Sequence, residues 1–306
     1  MNTVTFAPIR SSDSKKYAIY YQQSQTRIAD MTFLSRYAWD VIFRTEIAFF
    51  EEFCLLISDG CCFTDPHVLM PMGDLSAEKL EQILDQISEV FAERNWQLKV
   101  MCIDEDKIHL FDELTKYHGT PVYDDDFSDY VYDAESLRTL SGNALHKKRN
   151  HFNKFIRTYP GYAYSRITEN DADDCLALAR DWCVAKDLDL ENPKVSDYLM
   201  IKRLFDHFSE LDIRGGIIRI EGIVRAFSIG GLGNHNCAHI HFEKADQSYD
   251  GIYVAINKLV LMHEFPEALT VNREEDLGIP GLAKAKQSYF PIEKVKKYKI
   301  WLNRES

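Results

Sequence analysis

Between residues 162 and 291 the apolar positions change period in a fixed order, and that order leaves few folds open. Alternation at 162–167 reads as a strand. Helical spacing follows, with Ala172, Cys175, Leu176, Ala179, Trp182 and Cys183 on one face of a helix that begins near 171. A second helix starts at Ser196. Strands at 216–220 and 223–230 are joined at Glu221-Gly222 as a tight hairpin, and a third, 237–243, follows the turn Gly233-Asn234-His235-Asn236. A helix over 251–264, apolar nearly all round apart from Asn257 and Lys258, must be buried. A last strand, 268–273, then runs into a polar loop and a final helix. One strand, two helices, three antiparallel strands, a helix, a strand and a helix make a single α/β layer domain.

The first 135 residues read as another layer of the same kind. Ser76 caps a helix over 76–94 whose Leu80, Ile83, Leu84, Ile87, Val90 and Phe91 share a face. Apolar segments at 53–58 and 67–72 precede it, and a strand, Leu98 to Ile103, follows. A chain of 306 residues is long enough for two such cores. The expected organisation is therefore α/β (α+β): a domain over 1–140, a basic linker helix at 141–160, and a second domain over 161–306. Both sheets are expected to be mixed, mostly antiparallel and flanked by helices.

A formal net charge of −12 argues against a general polyanion or DNA binder. The charge is uneven, however. Residues 145–158 carry Lys147, Lys148, Arg149, Lys154 and Arg157 with no acid, and residues 284–299 carry six lysines against Glu293. Two basic islands on an acidic body point to a local anion site. The N-terminus lacks the apolar core of a signal peptide, and the longest apolar run, 251–262, is too short and interrupted to span a membrane. These features predict a cytoplasmic protein, with any membrane contact peripheral. Seven cysteines show no CxxC spacing, and adjacent Cys61-Cys62 do not suggest a zinc site.

The side-chain period of two places Cys237, His239, His241 and Glu243 on one face of strand 237–243, with Ala238, Ile240 and Phe242 on the other. Three ligands from one strand sit too far apart for a compact metal site, so no metal is expected. A general base is the better use, with Glu243 first and His241 as alternate. The stretch from Val271 to Pro291 has the composition of an active-site loop: Arg273, Glu274, Glu275 and Asp276 are consecutive, Gly278, Pro280 and Gly281 shape the turn, and Lys284, Lys286 and Tyr289 follow. Residues 244–251 occupy the place of a phosphate-binding loop ahead of helix 251–264, but only Gly251 is a glycine, and Asp246 and Asp250 would repel a phosphate.

Three blocks, Asn143 to Phe155 (NALHKKRNHFNKF), His241 to Ala245, and Asn272 to Pro291, together resemble the family formed by the C-terminal domain of phosphatidylglycerol lysyltransferase. The resemblance covers about residues 20–300 and implies two tandem GNAT-like acyltransferase domains. It also implies acyl or aminoacyl transfer without a bound cofactor: relatives take an amino acid from aminoacyl-tRNA to a lipid headgroup, and the similar Fem transferases extend peptides. The expected donor is thus aminoacyl-tRNA, with acetyl-CoA the less favoured one. The acceptor is a lipid, peptide or small-molecule hydroxyl or amine. Ala283 stands where that family commonly carries Arg.

On that resemblance Glu243 is the base, with His241 or Asp276 in reserve, and Tyr289 protonates the leaving group. Arg273 and Lys284, with Lys286, stabilise the oxyanion or donor phosphate. His146, Lys147, Lys148 and Arg149 close the cleft and hold an anionic part of the donor. Asn150, Asn272, Glu274, Gly251, Gly278 and Gly281 shape the site. Two rival readings are a CoA-dependent N-acetyltransferase and a non-catalytic module that binds a small anion or peptide.

Overall fold

The computed structural model describes residues 4–304 apart from Cys62 and Asp124. The chain forms two compact units, one running to Ser128 and completed by residues from Val295 onward, the other spanning Asp129–Lys294. Each is built on a seven-stranded sheet.

In the first unit the strand order is Ala7–Pro8, Glu46–Phe50, Phe53–Ser58, His67–Leu69, Lys99–Asp104, Lys297–Trp301 and Val122–Tyr123. All neighbours are antiparallel except His67–Leu69 with Lys99–Asp104. The helix expected over 76–94 is Ala77–Glu93, and the Ser76 side chain accepts a hydrogen bond from the Lys79 N–H at its start. Its Leu80, Ile83, Leu84, Ile87 and Phe91 are buried against Leu55, Ile57, Val68 and Val100 of the sheet.

The division differs at both ends from the one expected. Asp129–Asp133, placed by sequence in the first domain, pairs antiparallel with Thr270–Asn272 in the sheet of the second unit. Lys297–Trp301, placed in the second, pairs with Lys99–Asp104 in the first. Both pairings join strands more than a hundred residues apart, a relation that local periodicity does not carry.

In the second unit the order is Glu293–Val295, Asp129–Asp133, Thr270–Asn272, Cys237–Ala245, Ile223–Leu232, Arg214–Ile220 and Ala163–Arg166. Glu221 and Gly222, both at positive φ (55° and 80°), close the expected hairpin. The apolar helix is Ile252–His263 and is buried as its composition requires. Val254, Val260 and Leu261 enter one core with Ala238, Ile240 and Val271, while Ile252, Ala255, Ile256 and Leu259 enter a second with Ala226, Ala245 and Phe155. Phe155 belongs to the basic helix His146–Thr158, which therefore packs on the same side of the sheet as Ile252–His263. No helix among the described residues is long and apolar enough to cross a membrane.

Candidate functional site

Strand Cys237–Ala245 runs parallel to Thr270–Asn272 for three residue pairs, Cys237 with Thr270, Ala238 with Val271 and His239 with Asn272. Beyond them the two segments part. Among the described residues, the carboxyl half of Cys237–Ala245 keeps a ladder partner on one side only, the strand Ile223–Leu232. The segment after Asn272 carries its charged run along the opposite edge of the opening.

The expectation that His239, His241 and Glu243 share a face fails here. The ladder between Ile223–Leu232 and Cys237–Ala245 slips by one residue, because Ile229 faces Phe242 and Gly230 faces Ile240, so His241 is the extra residue of a bulge. A Cβ on Gly230 would lie 2.1 Å from the His239 carbonyl oxygen, so the bulge needs glycine at that point. Past the bulge the alternation is inverted. Glu243 now lies on the side of helix Ile252–His263, where Asn257 Nδ2 is 3.5 Å from Glu243 Oε2. Lys244 points to the opposite side, where it pairs with Asp197 at 2.8 Å and covers the Trp182 ring. His239 and His241 remain on the face opposite Ala238, their rings stacked at 6.1 Å.

On the helix side the opening gathers a charged and aromatic group. Arg273 donates to Glu243 Oε1 at 3.2 Å and lies 5.0 Å from the centre of the Tyr289 ring. Lys148, from the basic helix, lies 3.8 Å from the centre of the same ring. Burial pushes the Lys148 ammonium down to about 8, and the Arg273 charge adds to that shift. Burial also pushes Tyr289 up to about 12, against the opposing pull of Arg273. Two cations thus face one carboxylate. An anionic group placed between Arg273 and Lys148 would offset their repulsion.

On the other face His241 is covered, while its partner Glu274 is 23% exposed. His241 Nδ1 and Glu274 Oε1 are 2.8 Å apart, and the His241 side chain is 1% exposed, too little for a substrate to reach. Burial raises the Glu274 pKa, opposed by its contact with His241. Glu274 adopts φ 62°, a left-handed conformation that a non-glycine residue holds only where its surroundings fix it. Asn272 fixes it in part, accepting from the Glu274 N–H at 2.8 Å while donating to Asp129 at 3.0 Å. Asp276 accepts from the Tyr130 hydroxyl at 2.5 Å and from the Gly278 N–H at 2.9 Å, so its carboxylate ties the loop. Lys286 donates to the carbonyls of Arg273, Glu274 and Glu275, the second at 2.9 Å. Burial brings its pKa down to about 8.

The remaining candidates are spread more widely. Arg149 donates to the carbonyls of Leu140 (2.8 Å) and Gly142 (3.1 Å) and so anchors the start of its helix. His146, Lys147 and Asn150 are exposed on that helix, with Asn150 Nδ2 3.4 Å from His146 Nε2. Lys284 is exposed on helix Pro280–Gln287, where Gly281 has open space around it. Gly251, at φ 84°, packs so closely that a Cβ would lie 2.6 Å from the His151 carbonyl oxygen. The second basic island is not one patch: Lys294 covers the Tyr130 ring, whereas Lys296 and Lys297 pair with Glu105 and Asp30 in the first unit. Asp250 and Asp246 are neutralised by Lys154 (2.5 Å) and Arg225 (3.2 Å).

Two residues absent from the sequence-based set belong to the helix-side group. Ser228 stands opposite Glu243 in the ladder and therefore on its face, and Asn257 approaches Glu243 from the helix. Asn257 was visible as an interruption of an apolar helix, while Ser228 gave no signal in an ordinary alternating strand.

The family model described as phosphatidylglycerol lysyltransferase, C-terminal, matches residues 54–300. Among solved structures, a conserved protein of unknown function from Bacteroides thetaiotaomicron is 29% identical, with a TM-score of 0.88 over 98% of this chain and 100% of that one. FemX superposes with a TM-score of 0.65 at 8% identity, over 96% of each chain. L-PGS from Bacillus licheniformis gives 0.64 at 12% identity, over 95% of this chain and 92% of that one. At such identities these two likenesses concern the fold, which is the tandem GNAT-like architecture expected from the sequence.

Proposed function

The chain belongs to the family of phosphatidylglycerol lysyltransferase C-terminal domains, and from that premise we propose that it is an aminoacyltransferase whose chemistry lies at the Glu243–Arg273 opening of the second unit. Its donor is an aminoacyl-tRNA and its acceptor a hydroxyl or amine. The acceptor attacks the ester carbonyl carbon and its proton passes to Glu243. Negative charge developing on the carbonyl oxygen faces Arg273 and Lys148, whose repulsion it relieves. The ester C–O bond then breaks, and the leaving ribose oxygen takes a proton from the Tyr289 hydroxyl, which burial keeps protonated up to about 12. Lys147, His146 and Lys284, exposed near the two contributing helices, hold donor phosphates.

The observation that carries this reading is the excess of cations, Arg273 and Lys148 against Glu243 alone, in an opening where two parallel strands separate. CoA fits less well. Its pyrophosphate would have to approach the start of helix Ile252–His263, which is covered by His151 and Phe155 packed on Gly251. Titration of aminoacyl-tRNA and of acetyl-CoA at two salt concentrations tests the assignment. The expected result is tRNA binding that weakens steeply with salt and again in Lys147→Ala/Lys148→Ala, with acetyl-CoA weak throughout. Tight acetyl-CoA binding without tRNA binding would instead favour a CoA-dependent N-acetyltransferase.

A further inference from the structure

Among the described residues Lys148 makes no hydrogen bond and no ion pair, although its side chain is half-buried. Lysines covered elsewhere in the second unit are provided for: Lys244 pairs with Asp197, Lys258 donates to the Arg138 carbonyl, and Lys286 donates to three carbonyls. Lys148 instead has a ring and a second cation for neighbours. Its Nζ lies 3.8 Å from the centre of the Tyr289 ring, and Arg273 Cζ lies 5.0 Å from the same centre. An ammonium has three N–H groups to satisfy, so partial burial without an acceptor favours the neutral amine. Repulsion from Arg273 acts in the same direction, and the two together bring the pKa down to about 8.

A neutral lysine amine that solvent still reaches is a nucleophile. The cation beside it selects the electrophile. Arg273 is itself partly exposed and spends one N–H on Glu243, so it retains donors and charge for an anion. An acyl phosphate carries its anion next to its carbonyl, whereas a neutral ester gains nothing from Arg273. We infer that Lys148 is an acylation site of this chain, its ε-amine taking the acyl group of an acyl phosphate whose phosphate is drawn to Arg273. In that step the nitrogen lone pair forms the N–C bond and the C–O bond to phosphate breaks. Phosphate leaves with that electron pair, and the proton released by nitrogen passes to it. The product is an uncharged amide. One consequence rests on the transferase reading given above: once Lys148 is acylated, Arg273 stands against Glu243 alone, the cation excess is gone, and donor affinity falls.

The test is incubation of the full chain with acetyl phosphate at pH 8, with site occupancy followed over time by peptide mass spectrometry. Lys147, exposed one residue away on the same helix, is the internal reference. Lys148 should be acetylated about tenfold faster or more. About half of its amine is neutral at that pH against well under a hundredth for an ordinary lysine, and the weaker nucleophilicity of a less basic group offsets part of that gain. Inorganic phosphate should slow the reaction at Lys148 and leave Lys147 unchanged. Arg273→Gln, checked for folding by its melting temperature, should slow acetyl phosphate at Lys148 more than it slows the neutral ester p-nitrophenyl acetate. A rate at Lys148 no higher than at Lys147 would overturn the acylation site. Indifference of Lys148 to inorganic phosphate, or equal slowing of both reagents in Arg273→Gln, would overturn the acyl phosphate as its reagent. Aminoacyl-tRNA titrated against the parent and the acetylated chain separates the two readings. Selective acetylation of a chain with no affinity for aminoacyl-tRNA leaves the site standing and overturns the donor assignment, and equal affinity in both forms overturns the predicted loss.

Discussion

The two faces of strand Cys237–Ala245 carry similar residues put to different uses. On the side of helix Ile252–His263, Glu243, Arg273 and Lys148 are partly exposed beside the buried Tyr289 ring, with more positive than negative charge. On the opposite side, His241 is covered and paired with a partly exposed Glu274, and Asn272 is spent on the backbone that carries them, while Asp276 and Lys286 tie the loop that follows. Imidazoles and carboxylates alone therefore do not mark a catalytic face. On the proposed reading the functional face is the one left incompletely paired, because a fully satisfied group has nothing left to offer a ligand. The charged loop 273–278 serves both faces in alternation: Arg273 turns to the opening, and Glu274, one residue on, latches the closed side.

The comparison breaks first at Glu243. Glu243→Gln should lower turnover about 10²–10⁴-fold at saturating donor while donor affinity changes little, since proton transfer is lost and the shape is kept. Steady-state rates with the donor concentration varied would check this. If turnover survives, the base lies elsewhere and the two faces are not divided as described.

On the closed face the expected loss is of stability. His241→Ala removes a covered ring and the partner of the half-buried Glu274 carboxylate, which costs about 1 kcal/mol or more in unfolding free energy. Denaturant unfolding measures it. His241→Ala combined with Glu274→Ala should cost less than the sum of the two, because they delete one shared contact.

Lys148 sharpens the comparison through pH. Its pKa is lowered to about 8, so its charge is lost as pH rises through that value, well before an ordinary lysine would lose it. Donor affinity should therefore fall between about pH 7 and 9, and Lys148→Arg, which stays charged, should flatten the profile. A flat profile in the parent chain would remove Lys148 from the anion site.

The smallest effect is expected at Gly281. It lies in a helix with open space around it, so Gly281→Ala should stabilise by at most about 1 kcal/mol and leave turnover unchanged. A clear loss of activity would show that a ligand approaches the backbone there.

Much of this was legible in the residues. Ser76 and the face of helix Ala77–Glu93, the Glu221-Gly222 hairpin and the buried helix Ile252–His263 all follow from local pattern, and the same pattern proposes Glu243 and Arg273, whose side chains lie 3.2 Å apart. What stayed hidden depended on pairing between distant segments. The bulge at His241 arises from the fit of Gly230 against the neighbouring strand, and it moved Glu243 to the other face. In the same way the run KKR looked like one patch, yet helix phase sends Lys148 into the opening, leaves Lys147 in solvent and turns Arg149 onto backbone carbonyls.

The most direct test of the account is a crystal structure of the chain with a stable amide analogue of 3′-aminoacyl-adenosine. The expected result is the aminoacyl group on the helix-side face, with its carbonyl oxygen toward Arg273 and Lys148. An analogue seated in ordered density against His239 and His241, or along residues 244–251, would contradict it.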